Sequence, residues 1–110
     1  MDKLSKTQVM RIYLSSTDKF KSAPLFETLV FLAKRNKMAG ATVLKGVMGF
    51  GASSAVTSTR FWTVSEKLPM VIEIIDEKGK IENFFEIIKP LLEKVKKGIM
   101  VSIENTDVVM

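Results

Sequence analysis

Met70-Val71-Ile72-Glu73-Ile74-Ile75-Asp76 decides the fold, because every position from Met70 to Ile75 except Glu73 is apolar. A short apolar run with β-branched residues, closed by an acidic residue, reads as a strand. Asp76 then stands where a carboxylate caps a helix by accepting from its first free N–H groups. The helix that follows carries Ile81, Phe84, Phe85, Ile88, Leu92 and Val95 on one stripe, the spacing of a face turned to a core. Pro90 lies inside that stripe and predicts a kink or break near residues 86–89, since proline removes a helical N–H and crowds the preceding turn. Gly98 ends the segment, and residues 99–103 form a last strand.

Upstream, Val9-Met10-Arg11-Ile12-Tyr13-Leu14 reads as a first strand, rich in β-branched and aromatic residues. Ser15-Ser16-Thr17-Asp18 breaks it. A helix follows, opened by Ser22 as N-cap with Pro24 in the first turn. Leu25, Leu29, Leu32 and Ala33 give its apolar face, and Lys34, Arg35 and Lys37 suit the negative end of its dipole. Gly40 supplies the stop. Residues 41–48 make a second strand, interrupted at Lys45-Gly46, where a bulge or a close backbone approach is expected.

The resulting order, β-α-β-β-α-β, predicts an α+β domain of the ferredoxin-like kind: a four-stranded antiparallel sheet with two helices on one face. Right-handed crossovers place both helices on the same side, with the first and third strands central. That topology leaves a problem. The third strand is apolar on both faces, yet helices cover only one, and a half-solvated antiparallel strand should alternate. A second copy of the chain is the expected cover; a large loop folding back is the alternative.

With 110 residues and 46% hydrophobic content, the chain holds one domain and one core. Residues 1–8 read as a polar lead-in and residues 9–110 as the domain. No apolar run approaches membrane-spanning length and the first residues have no signal-peptide pattern, so a cytoplasmic protein is expected. There is no Cys and no His, which excludes thiolate nucleophiles, His-based triads and imidazole or thiolate metal sites. The net charge of +5 suits an anionic partner, although solubility alone accounts for it where no basic stripe is concentrated.

Residues 49–68 are the place to look for function, because connections of about twenty residues are uncommon in small domains. Gly49 and Gly51 allow backbone N–H groups to converge on an anion, with Ser53 and Ser54 adding hydroxyl donors. Gly49-Phe50-Gly51 lacks the Lys-Ser/Thr of a P-loop and the third glycine of a dinucleotide fingerprint, so a flexible hairpin explains it equally well. Phe61 and Trp62 in Arg60-Phe61-Trp62-Thr63-Val64 suit a core or interface, or a base to stack on. Lys94, Lys96 and Lys97 crowd the chain before Gly98; they compensate the helix dipole, or Lys96, Lys97 and Gly98 make a phosphate-binding corner. Glu73 needs a partner inside its apolar strand. Arg11 or Lys45 is the preferred one, and a ligand hydroxyl or amino group is the alternative. No second carboxylate is spaced to work with it as an acid/base pair, and no enzyme is expected.

These residues carry a resemblance. Arg11-Ile12-Tyr13-Leu14, then Ala39-Gly40-Ala41-Thr42-Val43-Leu44-Lys45-Gly46-Val47-Met48-Gly49-Phe50-Gly51-Ala52-Ser53-Ser54, then Leu68-Pro69-Met70-Val71-Ile72-Glu73-Ile74-Ile75-Asp76 look like the PII-like signalling superfamily, in its small uncharacterised branch. The resemblance implies a homotrimer whose sheets face inward and an adenine nucleotide (ATP, ADP or AMP) in clefts between subunits, with no cofactor required. It implies that the 49–68 loop is an effector loop docking on a membrane transporter or an enzyme. By position, Thr42, Gly49, Phe50 and Gly51 fall at the cleft-forming end of the second strand. Glu73 falls where the third strand faces the nucleotide, and Lys96, Lys97 and Gly98 fall near the phosphate loop. The chain departs from the superfamily in three ways: one glycine in that phosphate loop, Ala52 in place of an arginine, and no paired arginines after the last strand. Two alternatives stand beside this reading. One is a CutA-like trimeric metal-tolerance protein, which the lack of His and Cys disfavours for soft metals. The other is an RNA-binding ferredoxin-like module. Nucleic acid is disfavoured because Tyr13 alone offers a ring on a central strand.

Overall fold

Alternation along β3 (Pro69–Glu77) sorts its side chains: Met70, Ile72, Ile74 and Asp76 are buried, while Val71, Glu73, Ile75 and Glu77 are not. A computed structural model of the chain describes residues 6–51, 57–58, 67–95 and 98–110. In it β3 lies beside β1 (Thr7–Ser15), and the outer strands are β2 (Thr42–Lys45) and β4 (Met100–Thr106). The order across the sheet is β2-β3-β1-β4, every neighbouring pair antiparallel. The fold class and the two central strands are those expected from the sequence. β1 begins at Thr7, taking in two residues of the polar lead-in.

The helices α1 (Leu25–Arg35) and α2 (Lys78–Val95) close one face. Leu25, Leu29 and Ala33 from α1 and Ile81, Phe84, Ile88 and Leu92 from α2 meet Met10, Ile12, Leu14, Met70, Ile72 and Ile74 in a single core. Each large side chain fully buried there contributes roughly 1.5–3 kcal/mol. On the opposite face, Tyr13, Val71 and Ile75 are joined by Leu44 and Met100, which are 51% and 57% exposed. The apolar character of β3 on both faces is therefore a property of the folded chain.

Both helix boundaries expected around α1 are corrected. Ser22 is not an N-cap. Lys19–Phe20 pairs with Ala23–Pro24 as a small hairpin, and Lys21 and Ser22 form its turn with φ of 50° and 70°. Positive φ at both positions is the type I′ geometry of a two-residue hairpin loop, so the hairpin claims Ser22 before the helix starts. Pro24 occupies the cap position and supplies no side-chain hydrogen bond. Nor does Gly40 stop the helix. Lys37 does, in left-handed backbone at φ 59°, with Lys37 N–H donating to Lys34 O at 3.0 Å and Met38 N–H to Ala33 O at 3.0 Å. That pair of bonds is the Schellman closure, here with lysine where glycine is usual.

Of the kink or break expected near residues 86–89, the break does not occur: α2 runs from Lys78 to Val95 as one helix with Pro90 inside. Proline costs about 3 kcal/mol in a helix interior, and buried Ile81, Phe84, Ile88 and Leu92 on either side of it outweigh that loss by their packing. The interruption at Lys45-Gly46 is a close approach, with Gly46 N–H donating to Pro69 O at 2.7 Å. Beyond it, Met48–Gly49 pairs with Thr57–Ser58, so order persists into the stretch where pattern fails.

Candidate functional site

Four strand ends come together where β1 finishes and β3 and β4 begin, with the chain leaving β2 beside them. Backbone and small side chains fix the rim. Ser16 N–H donates to Leu68 O at 2.8 Å, and Leu68 N–H donates to Ser16 Oγ at 2.9 Å. Asp18 closes the turn after β1, its Oδ2 accepting from Ser15 N–H at 2.8 Å. Pro69 sits against two glycines: a Cβ on Gly46 would lie 2.8 Å from the Pro69 ring and one on Gly49 3.1 Å from it. Contacts under 3.0 Å are not tolerated by packed carbon atoms, so the absent side chain at Gly46 is what lets the strand fold over Pro69.

Within this rim lies an open cavity of about 560 Å³, within the range of small-molecule sites. Gly49, Phe50 and Gly51 line it from one side and Gly98, at φ 77°, from another. Four residues singled out from sequence thus share one wall-to-wall space. Phe50 is 75% exposed, an aromatic ring at the mouth rather than in the core. Thr42 and Glu73 are elsewhere. They face each other across β2 and β3 on the sheet face away from the helices. Arg11 Nε donates to Glu73 Oε2 at 3.0 Å, and Arg11 also pairs with Glu104. The preferred sequence reading of Glu73, an ion pair with Arg11, is the one the structure has. These two carboxylates, Glu104 foremost and then Glu73, hold the pKa of the Arg11 guanidinium above its ordinary value. Ser53, Ser54, Phe61, Trp62, Lys96 and Lys97 lie outside the described residues.

Tyr13, Asp18, Lys67, Leu68, Pro69 and Met100 also line the cavity; the sequence reading assigned none of them to a nucleotide and named Tyr13 only as a ring in the disfavoured RNA reading. Their common signal is topological. Antiparallel order brings the end of the first strand and the starts of the third and fourth to one place, and that follows once the order β2-β3-β1-β4 is known. Tyr13, Val71 and Met100 give an apolar floor, and Lys67 and Asp18 give one charge of each sign. Such a space offers apolar surface beside one charge of each sign. Among the described residues no group of three or more Asp and Glu is placed to hold a metal ion, and no helix is long and apolar enough to cross a membrane.

Comparison with known proteins agrees with this arrangement. The family model DUF190, described as Uncharacterized ACR, matches residues 7–108. A UPF0166 protein of Aquifex aeolicus (strain VF5) is 31% identical over 104 residues, covering 94% of each chain. Among solved structures, a nitrogen regulatory PII-like protein, CPII, from Thiomonas intermedia K12, bound to ADP, AMP and bicarbonate, superposes with a TM-score of 0.66 at 15% identity, over 96% of this chain and 94% of that one. A PII-like signalling protein of Thermus thermophilus gives 0.65 at 17% identity, over 96% and 91%. At such identities the likeness is one of fold. The fold is that of PII-like proteins.

Proposed function

The chain belongs to the DUF190 family, and from that premise we propose that it is a PII-like regulatory protein binding an adenine nucleotide. The observation that carries the proposal is the cavity of about 560 Å³ in which Gly49, Phe50 and Gly51 meet Gly98. The glycine backbone permits close approach of a phosphate, Lys67 supplies a cation, and Tyr13, Val71 and Met100 supply apolar surface for a base. The Thiomonas intermedia protein of the same fold is bound to ADP and AMP, which supports the same ligand class here.

The wider proposal is a cytoplasmic homotrimer in which the uncovered sheet faces meet. Leu44, Ile75 and Met100, all more than a third exposed in one chain, are then removed from water. Thr42 and Glu73 come to the seams, and residues 49–68 report occupancy to a transporter or enzyme. Ser53 and Ser54 are hydroxyl donors in that segment, and Lys96 and Lys97 are phosphate cations next to Gly98. Thermal melting with ATP, ADP and AMP at millimolar concentration, alongside a solution mass, tests the scheme. A ligand at a hundredfold excess over its Kd adds about 2.7 kcal/mol. Melting curves unmoved by all three nucleotides remove the ligand; a monomer at micromolar concentration removes the trimer. Replacing Lys96 and Lys97 together by Ala weakens ATP more than AMP if both act on phosphates.

A further inference from the structure

Lys67, which is exposed, and Asp18, which is half-buried, give the cavity opposite charges on its lining. A lysine ammonium suits the anionic end of a ligand. A carboxylate in the same space repels it. Asp18 is nevertheless held firmly. Its N–H donates to Ser15 O at 3.1 Å, its carbonyl accepts from Leu25 N–H at 2.8 Å, and Oδ2 accepts from Ser15 N–H at 2.8 Å. An ionised carboxylate offers about four acceptor positions. Among the described residues no donor reaches Oδ1. A carboxylate fixed on a ligand-sized cavity with acceptor capacity left over is built to receive a hydrogen bond.

We propose that Asp18 determines specificity at this cavity by accepting from a donor on a phosphorylated nucleoside, a ribose hydroxyl or the exocyclic amine of the base, while the phosphate lies toward Lys67. The inference rests on the nucleotide reading above and extends it to polarity. A ligand anionic at one end and donor-bearing at the other satisfies both charges. Inorganic phosphate satisfies one and is repelled by the other.

The test is calorimetric titration, without divalent cations, of the wild-type chain and Asp18→Asn with AMP, 2′,3′-dideoxy-AMP and inosine monophosphate. The asparagine keeps an oxygen for Ser15 N–H but presents an NH₂ donor where the carboxylate offered an acceptor. The wild type is expected to prefer AMP over one of the analogues by about 10- to 100-fold, the range for a hydrogen bond to a charged group. The analogue rejected identifies the donor. Asp18→Asn is expected to lose that preference through weaker AMP binding. Equal affinity of the wild type for all three ligands overturns the role of Asp18 and leaves nucleotide binding standing, and this comparison needs no variant to fold. Asp18→Asn binding like the wild type, or binding all three more tightly by one common factor, also overturns it. Failure of the wild type to bind any of them removes the nucleotide reading as well.

Discussion

At the Thr7 end of the sheet, side chains close on the backbone. Thr7 Oγ1 donates to Thr106 O at 2.6 Å, Asp76 Oδ2 accepts from Ala39 N–H at 2.8 Å and Oδ1 from Glu77 N–H at 2.7 Å, and Lys80 Nζ donates to Lys37 O at 2.6 Å. At the Ser15 end, turns and glycine contacts surround an open cavity instead, and Phe50 on its lining is exposed. If the cavity is the ligand site, the length of the strands separates it from the closed end, and changes at the closed end should then leave ligand affinity untouched.

Asp76→Ala is the hardest test of that separation. It strips a buried acceptor from two backbone N–H groups, and a loss of about 2–3 kcal/mol is expected for hydrogen bonds to a charged group. Urea unfolding measures it, and ligand affinity of the folded fraction should not change. Gly46→Ala comes next, because its Cβ would sit 2.8 Å from the Pro69 ring. A loss of about 1–2 kcal/mol is expected from overpacking, together with weaker nucleotide binding. Combining it with Pro69→Ala should recover part of the loss in a double-mutant cycle, and additive effects would show that the ring is not the obstacle.

Lys37→Gly acts at the closed end in the other direction. Its φ of 59° costs a side-chain-bearing residue about 1 kcal/mol, so a gain of about 0.5–1 kcal/mol is expected, read as a rise in melting temperature of roughly 4–8 °C per kcal/mol. Phe50→Ala is the smallest in stability, within about 0.5 kcal/mol for an exposed position. It should lower ligand affinity all the same. A marked destabilisation by Phe50→Ala would mean that the two ends are not distinct.

The sheet was legible because β3 is a short apolar run rich in β-branched residues and the α2 stripe keeps a helical period, and topology rules then fix the strand order. The errors share one cause. Ser22 and Gly40 have the right chemistry for cap and stop, but a hairpin too short to show in a hydrophobic pattern takes the first, and a lysine in left-handed backbone pre-empts the second. At Pro90 the helix continues because packing on either side offsets the local cost, which a local reading does not count. The candidate site was half legible. Gly49, Phe50, Gly51 and Gly98 stand out as residue types, whereas Asp18, Lys67 and Tyr13 acquire their place only through the crossing of strands distant in sequence.

One outer strand, β2, has only Thr42–Lys45 in the ladder, after which Gly46 turns its N–H inward to Pro69. The other, β4, carries Glu104 near its middle. Fibril growth recruits segments of six or seven residues with low charge; β2 is too short for that, and β4 is interrupted by its glutamate. Edge-to-edge addition of another copy is therefore disfavoured at both rims, a brake set by where the hydrogen bonding ends.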